Sequence, residues 1–86
     1  MEVIRDILDI LHQNNKLKIT RLIYKSNLSS NSIKPYLNEL LKSALIKQVI
    51  IKDKMYYKIT QKGLQFLHEF DKIKVFSEAY GLKTEI

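Results

Sequence analysis

From Ser29 to Lys42 the chain reads Ser-Ser-Asn-Ser-Ile-Lys-Pro-Tyr-Leu-Asn-Glu-Leu-Leu-Lys, and the polar members of this run carry the most directed chemistry in the sequence. On a helix, Asn31, Lys34, Asn38 and Lys42 fall on one stripe, with Ser30 at its start. Asparagine pairs bidentately with adenine, serine hydroxyls contact bases or phosphates, and lysine reaches guanine or phosphate. No arginine stands in the run, so bidentate recognition of guanine is weak and any base preference leans towards adenine. Every exposed helix face is polar, so the stripe by itself assigns nothing. Covalent and metal chemistry are less well supplied. The chain has no cysteine, which removes disulfides and thiolate zinc sites, and its two histidines, His12 and His68, make a poor metal site. No nucleophile stands at a recognisable spacing from a base, and there is no glycine-rich phosphate loop. The sequence therefore predicts no catalytic residue, no metal and no cofactor.

The charge distribution gives the stripe a context. The 86 residues carry a net charge of +6. Residues 1–9 are net −2 and residues 69–86 net −1. From Ile10 to His68 there are eleven basic residues against Glu39 and Asp53, a net +9. Such a centre favours a polyanionic partner, although a solvated lysine surface would look the same. Lys16, Lys18, Arg21 and Lys25 precede the polar stripe, and Lys52 and Lys54 follow it around Asp53. A chain of this length supports a single core whose stability is modest unless a partner subunit adds buried area. The longest apolar runs are three residues, as in Val49, Ile50 and Ile51, and the amino terminus has no secretory apolar stretch. These features predict a cytoplasmic, nucleoid-associated chain with no membrane partner.

The elements that must position these groups follow from periodicity. Val3, Ile4, Ile7, Leu8 and Leu11 recur at helical spacing and predict a first helix ending near Asn14-Asn15. A second helix is expected from about Lys18, with Ile19, Leu22 and Ile23 apolar, stopping before Ser26-Asn27. Leu28 is then a buried apolar plug in the turn. Ser29 or Ser30 caps a third helix whose apolar set is Ile33, Leu37, Leu40 and Leu41. Pro35 falls at its fifth or sixth position, which predicts a kinked or late-starting helix. Past Ala44 the period changes. Ile46 to Lys52 and Met55 to Thr60 read as two strands separated by Asp53-Lys54, with a turn type that the residues do not specify. Thr60 caps a long last helix ending near Gly81. The fold class is α+β, mainly α: three helices, a two-stranded hairpin and a long carboxy-terminal helix, with residues 1–60 forming one unit and 61–82 an element of the same domain.

Two short helices joined by a tight turn and followed at once by a hairpin is the plan of a winged helix-turn-helix. The run YKSNLSSNSIKPYLNELLKSALI from Tyr24, followed by YYKITQKGLQFLHEF from Tyr56, resembles the small archaeal winged-helix DNA-binding proteins, among them the ten-kilodalton chromatin-associated and regulatory proteins with a carboxy-terminal dimerisation helix. The resemblance runs from the first helix to Leu82. It rests on the Tyr-Lys-Ser-Asn-Leu-Ser turn, the spacing of Tyr36-Leu37 to Leu45-Ile46, and the Tyr-x-Ile-Thr-x-x-Gly entry to the last helix. Two departures stand out. Ala44 occupies a position where such sequences usually carry glycine, so a left-handed cap there costs about 1 kcal/mol or the chain enters the strand differently. The other is Pro35.

The resemblance implies double-stranded DNA as partner, with the third helix in the major groove presenting Ser30, Asn31, Lys34, Asn38 and Lys42. The hairpin tip, with Lys52 and Lys54, would meet an adjacent minor groove or backbone, and Lys16, Lys18, Arg21 and Lys25 would meet phosphates. Neutralising about six phosphates gives log affinity a slope on log salt of about −5. The tip lysines could equally guard a strand edge against aggregation. Tyr24 and Tyr56 are possible phosphate donors, whereas Tyr36 and Tyr57 belong to the core or its rim. The last helix is too apolar for one core-facing stripe. Phe66, Phe70, Ile73 and Tyr80 form a seam with Leu64, Leu67 and Phe76 beside it, which predicts a homodimer through Phe66, Phe70, Ile73, Phe76 and Tyr80. Two copies would set their third helices about 34 Å apart on the duplex. A dimeric transcriptional regulator is the favoured reading. The alternatives are a sequence-tolerant architectural chromatin protein, or a winged helix used for protein contacts, which the central charge disfavours. No small-molecule effector is evident.

Overall fold

The computed structural model describes residues 2–79, with side chains from Val3 to Lys72. Six elements follow in the order α1 (Glu2–Gln13), α2 (Ile19–Ser26), α3 (Ser30–Lys42), β1 (Ile46–Ile51), β2 (Lys54–Ile59) and α4 (Gln61–Ala79). The architecture is mainly helical with one antiparallel two-stranded sheet, as the periodicities predict.

Helix α1 is the centre of the core. Ile7, Leu8 and Leu11 have no exposed surface, and Val3 and Ile4 pack at the margin. Leu22 of α2, Ile33, Leu37 and Leu40 of α3, Leu45 and Ile46 at the start of the hairpin, Tyr57 and Leu67 complete the same cluster. No polar or charged residue is buried among the described residues. Arg5 ties α1 to α4 by a bidentate contact with Asp71, at 3.1 Å from Nε and 3.3 Å from the second nitrogen. That hydrogen bond holds the Arg5 guanidinium above its ordinary pKa.

The helix ends are closed in different ways. At the end of α1 the Asn14 side chain donates to the Ile10 carbonyl at 2.8 Å. Helix α2 stops at Asn27, whose φ of 61° is left-handed, a conformation asparagine tolerates better than most residues. Ser29 caps α3, its hydroxyl accepting from the Ser32 N–H at 3.1 Å. The helix therefore starts at Ser30 and not late. It runs through Pro35, its sixth residue, which lacks the N–H that would bond the Asn31 carbonyl. At its far end Ala44 N–H donates to Leu41 at 3.0 Å and Leu45 N–H to Leu40 at 2.9 Å, which is a Schellman closure with Ala44 at the left-handed position, φ 60°. The chain keeps the glycine geometry without the glycine.

One boundary and one burial differ from the sequence expectation. The hairpin turn is Lys52-Asp53 and not Asp53-Lys54: Ile51 pairs with Lys54, and the two loop residues have φ of 52° and 64°. Positive φ at both positions is the signature of a type I′ turn, whose twist matches the flanking strands. Leu28 in the helix-turn-helix corner is half-buried at the core margin, not fully enclosed, because it sits where the corner meets solvent. A third extended segment also joins the sheet. Leu17 exchanges backbone hydrogen bonds with Tyr57 at 3.0 and 2.7 Å, so the linker before α2 lies along the free side of β2. One residue flanked by lysines gave no periodic signal for it.

Candidate nucleic-acid interface

Helix α3 divides cleanly. Ile33, Leu37 and Leu40 are buried, and Asn31, Lys34, Asn38 and Lys42 are all exposed. At 100° per residue these four lie within roughly 80° of arc on the side away from the core. Ser30 is exposed at the first turn, and Pro35 and Glu39 flank the stripe. Core packing thus fixes the rotation of the helix and leaves the polar stripe outward.

The cations around it are equally accessible. Arg21, Lys25, Lys52 and Lys54 are exposed and Lys18 is half-buried. Every ion pair among the described residues involves Arg5. None of the lysines of α2, α3 or the hairpin is therefore neutralised by a side chain within that set, and their charge is available to a ligand. Arg21 lies 5.9 Å from the ring centre of Tyr24, which is 76% exposed, so a cation and a phenol hydroxyl stand together on the outer face of α2.

The hairpin adds Lys47 and Lys58, which sequence reasoning missed. Lys47 and Lys58 are direct cross-strand partners, a like-charge pairing that weakens a sheet unless something anionic covers it. On the same face is Tyr56, and the ammonium groups of Lys16 and Lys18 stand 5.6 and 5.8 Å from its ring centre. The Leu17 bridge puts both lysines there, since neighbours of a paired residue share one face. Register is the information the sequence lacked: with the turn misplaced by one residue, these pairs could not be read.

The remaining expected positions divide between packing and undescribed residues. Tyr57 is in the core and Tyr36 at its rim. Phe66 is half-buried and Phe70 91% buried within the single chain, their rings stacked at 6.5 Å. The side chains of Ile73 and Phe76, and Tyr80 altogether, lie outside the described residues. His12 and His68, on different helices, line one groove between α1 and α4 with Asp9, Glu69 and Asp71. Among the described residues no three such groups converge on a metal position. No helix there is long and apolar enough to cross a membrane.

A family model described as winged helix-turn-helix matches residues 1–78. Among solved structures the chain is similar to Sso10a-2, a DNA-binding protein from Sulfolobus solfataricus, at 29% identity and a TM-score of 0.68, covering 98% of this chain and 96% of that one. It is similar in fold to the transcriptional regulator BldR from Sulfolobus solfataricus, at 16% identity and a TM-score of 0.77, covering 99% of this chain and 64% of that one. A MarR family transcriptional regulator from Silicibacter pomeroyi gives 19% identity and a TM-score of 0.74, with 87% and 52% covered. The chain thus spans between half and two-thirds of the length of these two regulators. No curated protein matches the sequence.

Proposed function

The chain belongs to the winged helix-turn-helix family, and from that premise we propose that it binds double-stranded DNA and acts as a dimeric transcriptional regulator with no catalytic step of its own. The observation that carries this reading is the exposed stripe Asn31, Lys34, Asn38 and Lys42, set opposite a buried apolar face on a helix whose surrounding cations have no acidic partner among the described residues. Helix α3 enters the major groove, and its asparagines favour adenine-containing sites. The Lys52–Lys54 tip lies on the adjacent backbone or minor groove, and Lys18, Arg21 and Lys25 contact phosphates. Sso10a-2, itself a DNA-binding protein, supports the choice of ligand. Phe66, with Ile73 and Phe76 and with Tyr80 beyond them in the sequence, forms the contact between two copies; Phe70 packs largely within its own chain and supports Phe66.

The test is fluorescence anisotropy of a labelled duplex titrated at several salt concentrations, beside the same strand unpaired. Duplex binding with a log–log salt slope of about −5 is expected. Salt-insensitive binding, or equal affinity for the single strand, defeats the reading. A regulator keeps a preference of about 10³-fold or more for its site over random DNA, whereas an architectural protein does not. Light scattering should give twice the 10.2 kDa chain mass at micromolar concentration.

A further inference from the structure

The wing carries apolar side chains that the fold does not use. Ile50 is 74% exposed, Ile51 41% and Met55 36%. Ile50 and Met55 are direct cross-strand partners, two steps beyond the Gln48–Tyr57 pair on the same face. Tyr57 is the last residue of that face in the core, so beyond it the hairpin overhangs the body and its apolar pair meets water. Strand chemistry does not require this, since polar residues pair as well at an overhanging tip and protect an edge better. At the end of the hairpin beside this pair stand Lys52 and Lys54, with Asp53 the one acid between them, while Lys47 and Lys58 pair on the opposite face.

We propose that the wing tip is a DNA-bending wedge, in which Ile50 and Met55 press into the minor groove beside the site of α3 and open a base step while Lys52 and Lys54 hold the flanking phosphates. The proposal rests on the DNA-binding reading above and adds the deformation to it. An apolar tip flanked by cations fits a polyanion that has an apolar interior, and base steps opened by isoleucine or methionine kink a duplex by about 20–90°. A second copy of the chain is a poor occupant, because it would set Lys52 and Lys54 against their own images. The type I′ turn keeps the two strands paired to the tip, so the wedge is held at a fixed angle to the body. The duplex should yield where it unstacks most easily, at TA and CA steps.

The experiment uses the full chain and a duplex of about 30 bp with TA and CA steps, end-labelled for energy transfer and carrying 2-aminopurine at one step. At saturation the wild type should shorten the end-to-end distance and raise 2-aminopurine fluorescence. The double variant Ile50→Ser with Met55→Ser should lose at least half of both signals while its affinity falls less than about tenfold, as contacts to phosphates remain. Both positions are exposed, and an unchanged urea midpoint confirms that the variant folds. Wild-type chain that binds but leaves the duplex straight overturns the wedge and leaves the DNA reading intact, as does a double variant that bends like wild type. No duplex binding overturns both. Binding to anionic phosphatidylserine vesicles that the double substitution abolishes, with bending unchanged, overturns the wedge in favour of a membrane surface.

Discussion

Gly63→Ala is the substitution on which the packing argument can be tested most sharply. Gly63 is the third residue of α4, where alanine would ordinarily gain about 1 kcal/mol of helix propensity. Here a Cβ would be driven into the Leu45 carbonyl oxygen and stand 2.7 Å from Ile59 Cγ1 and 3.1 Å from the Leu45 carbonyl carbon. The obstacle is mostly backbone, and that backbone is committed. Leu45 O accepts from Thr60 N–H at 3.1 Å, Leu45 N–H closes the end of α3, and Thr60 Oγ1 accepts from Gly63 N–H at 3.1 Å while donating to the Ala44 carbonyl at 2.6 Å. Relief therefore requires α4 to move away from the junction of α3 and β1. Overpacking costs about 1–3 kcal/mol. The strained hydrogen bond and cap add about 1–2 kcal/mol more. Set against the propensity gain, the net loss is about 1–4 kcal/mol, or a fall in Tm of about 5–30 °C for a domain of this size. Urea denaturation followed by circular dichroism measures it, with the exposed Gln65→Ala as control, expected within about 0.5 kcal/mol of wild type. A Gly63→Ala chain as stable as wild type would show that the first turn of α4 slides freely, and the account of this junction would be wrong.

Four further outcomes follow from the same geometry. Ala44→Gly relieves the left-handed strain at φ 60° and should raise stability by about 1 kcal/mol, read as a higher urea midpoint with an unchanged m-value. Lys47→Gln removes the cross-strand repulsion with Lys58 and should stabilise the isolated chain by about 0.2–1 kcal/mol while weakening duplex binding; a chain destabilised by the change would contradict the pairing. Lys34→Ala with Asn38→Ala should abolish preference for a selected site over random DNA in a competition assay and leave the circular dichroism spectrum unaltered. Lys52→Ala with Lys54→Ala should weaken all duplexes almost uniformly and reduce the salt slope by about two, so an unchanged slope would remove the tip from the interface.

Elements with a strong period are legible in the sequence alone. The helix stripes of α1 and α3, the switch to β-branched residues at Ile46, and the caps at Ser29 and Thr60 all stand where their residues place them. The outward face of α3 was legible for the same reason, since a regular helix with one apolar stripe has only one way to bury it. The hairpin was read one residue out because Lys52 and Asp53 are weak candidates for positive φ, and only pairing with the opposite strand holds them there. Leu17, the Lys47–Lys58 pair and the lysines over Tyr56 were hidden behind that register.

What the sequence determined by itself is local and periodic: element types, caps, the core-facing stripes, and a net +9 centre between acidic ends. Each is set within a few residues of chain by backbone hydrogen bonding and side-chain hydrophobicity. The tertiary structure decided which distant groups share a surface. It forced Ala44 into the glycine conformation, set Gly63 against Leu45, joined Leu17 to Tyr57, and carried Ile50 and Met55 past the edge of the core. Those outcomes depend on close packing between segments far apart in sequence, a constraint that no local pattern encodes.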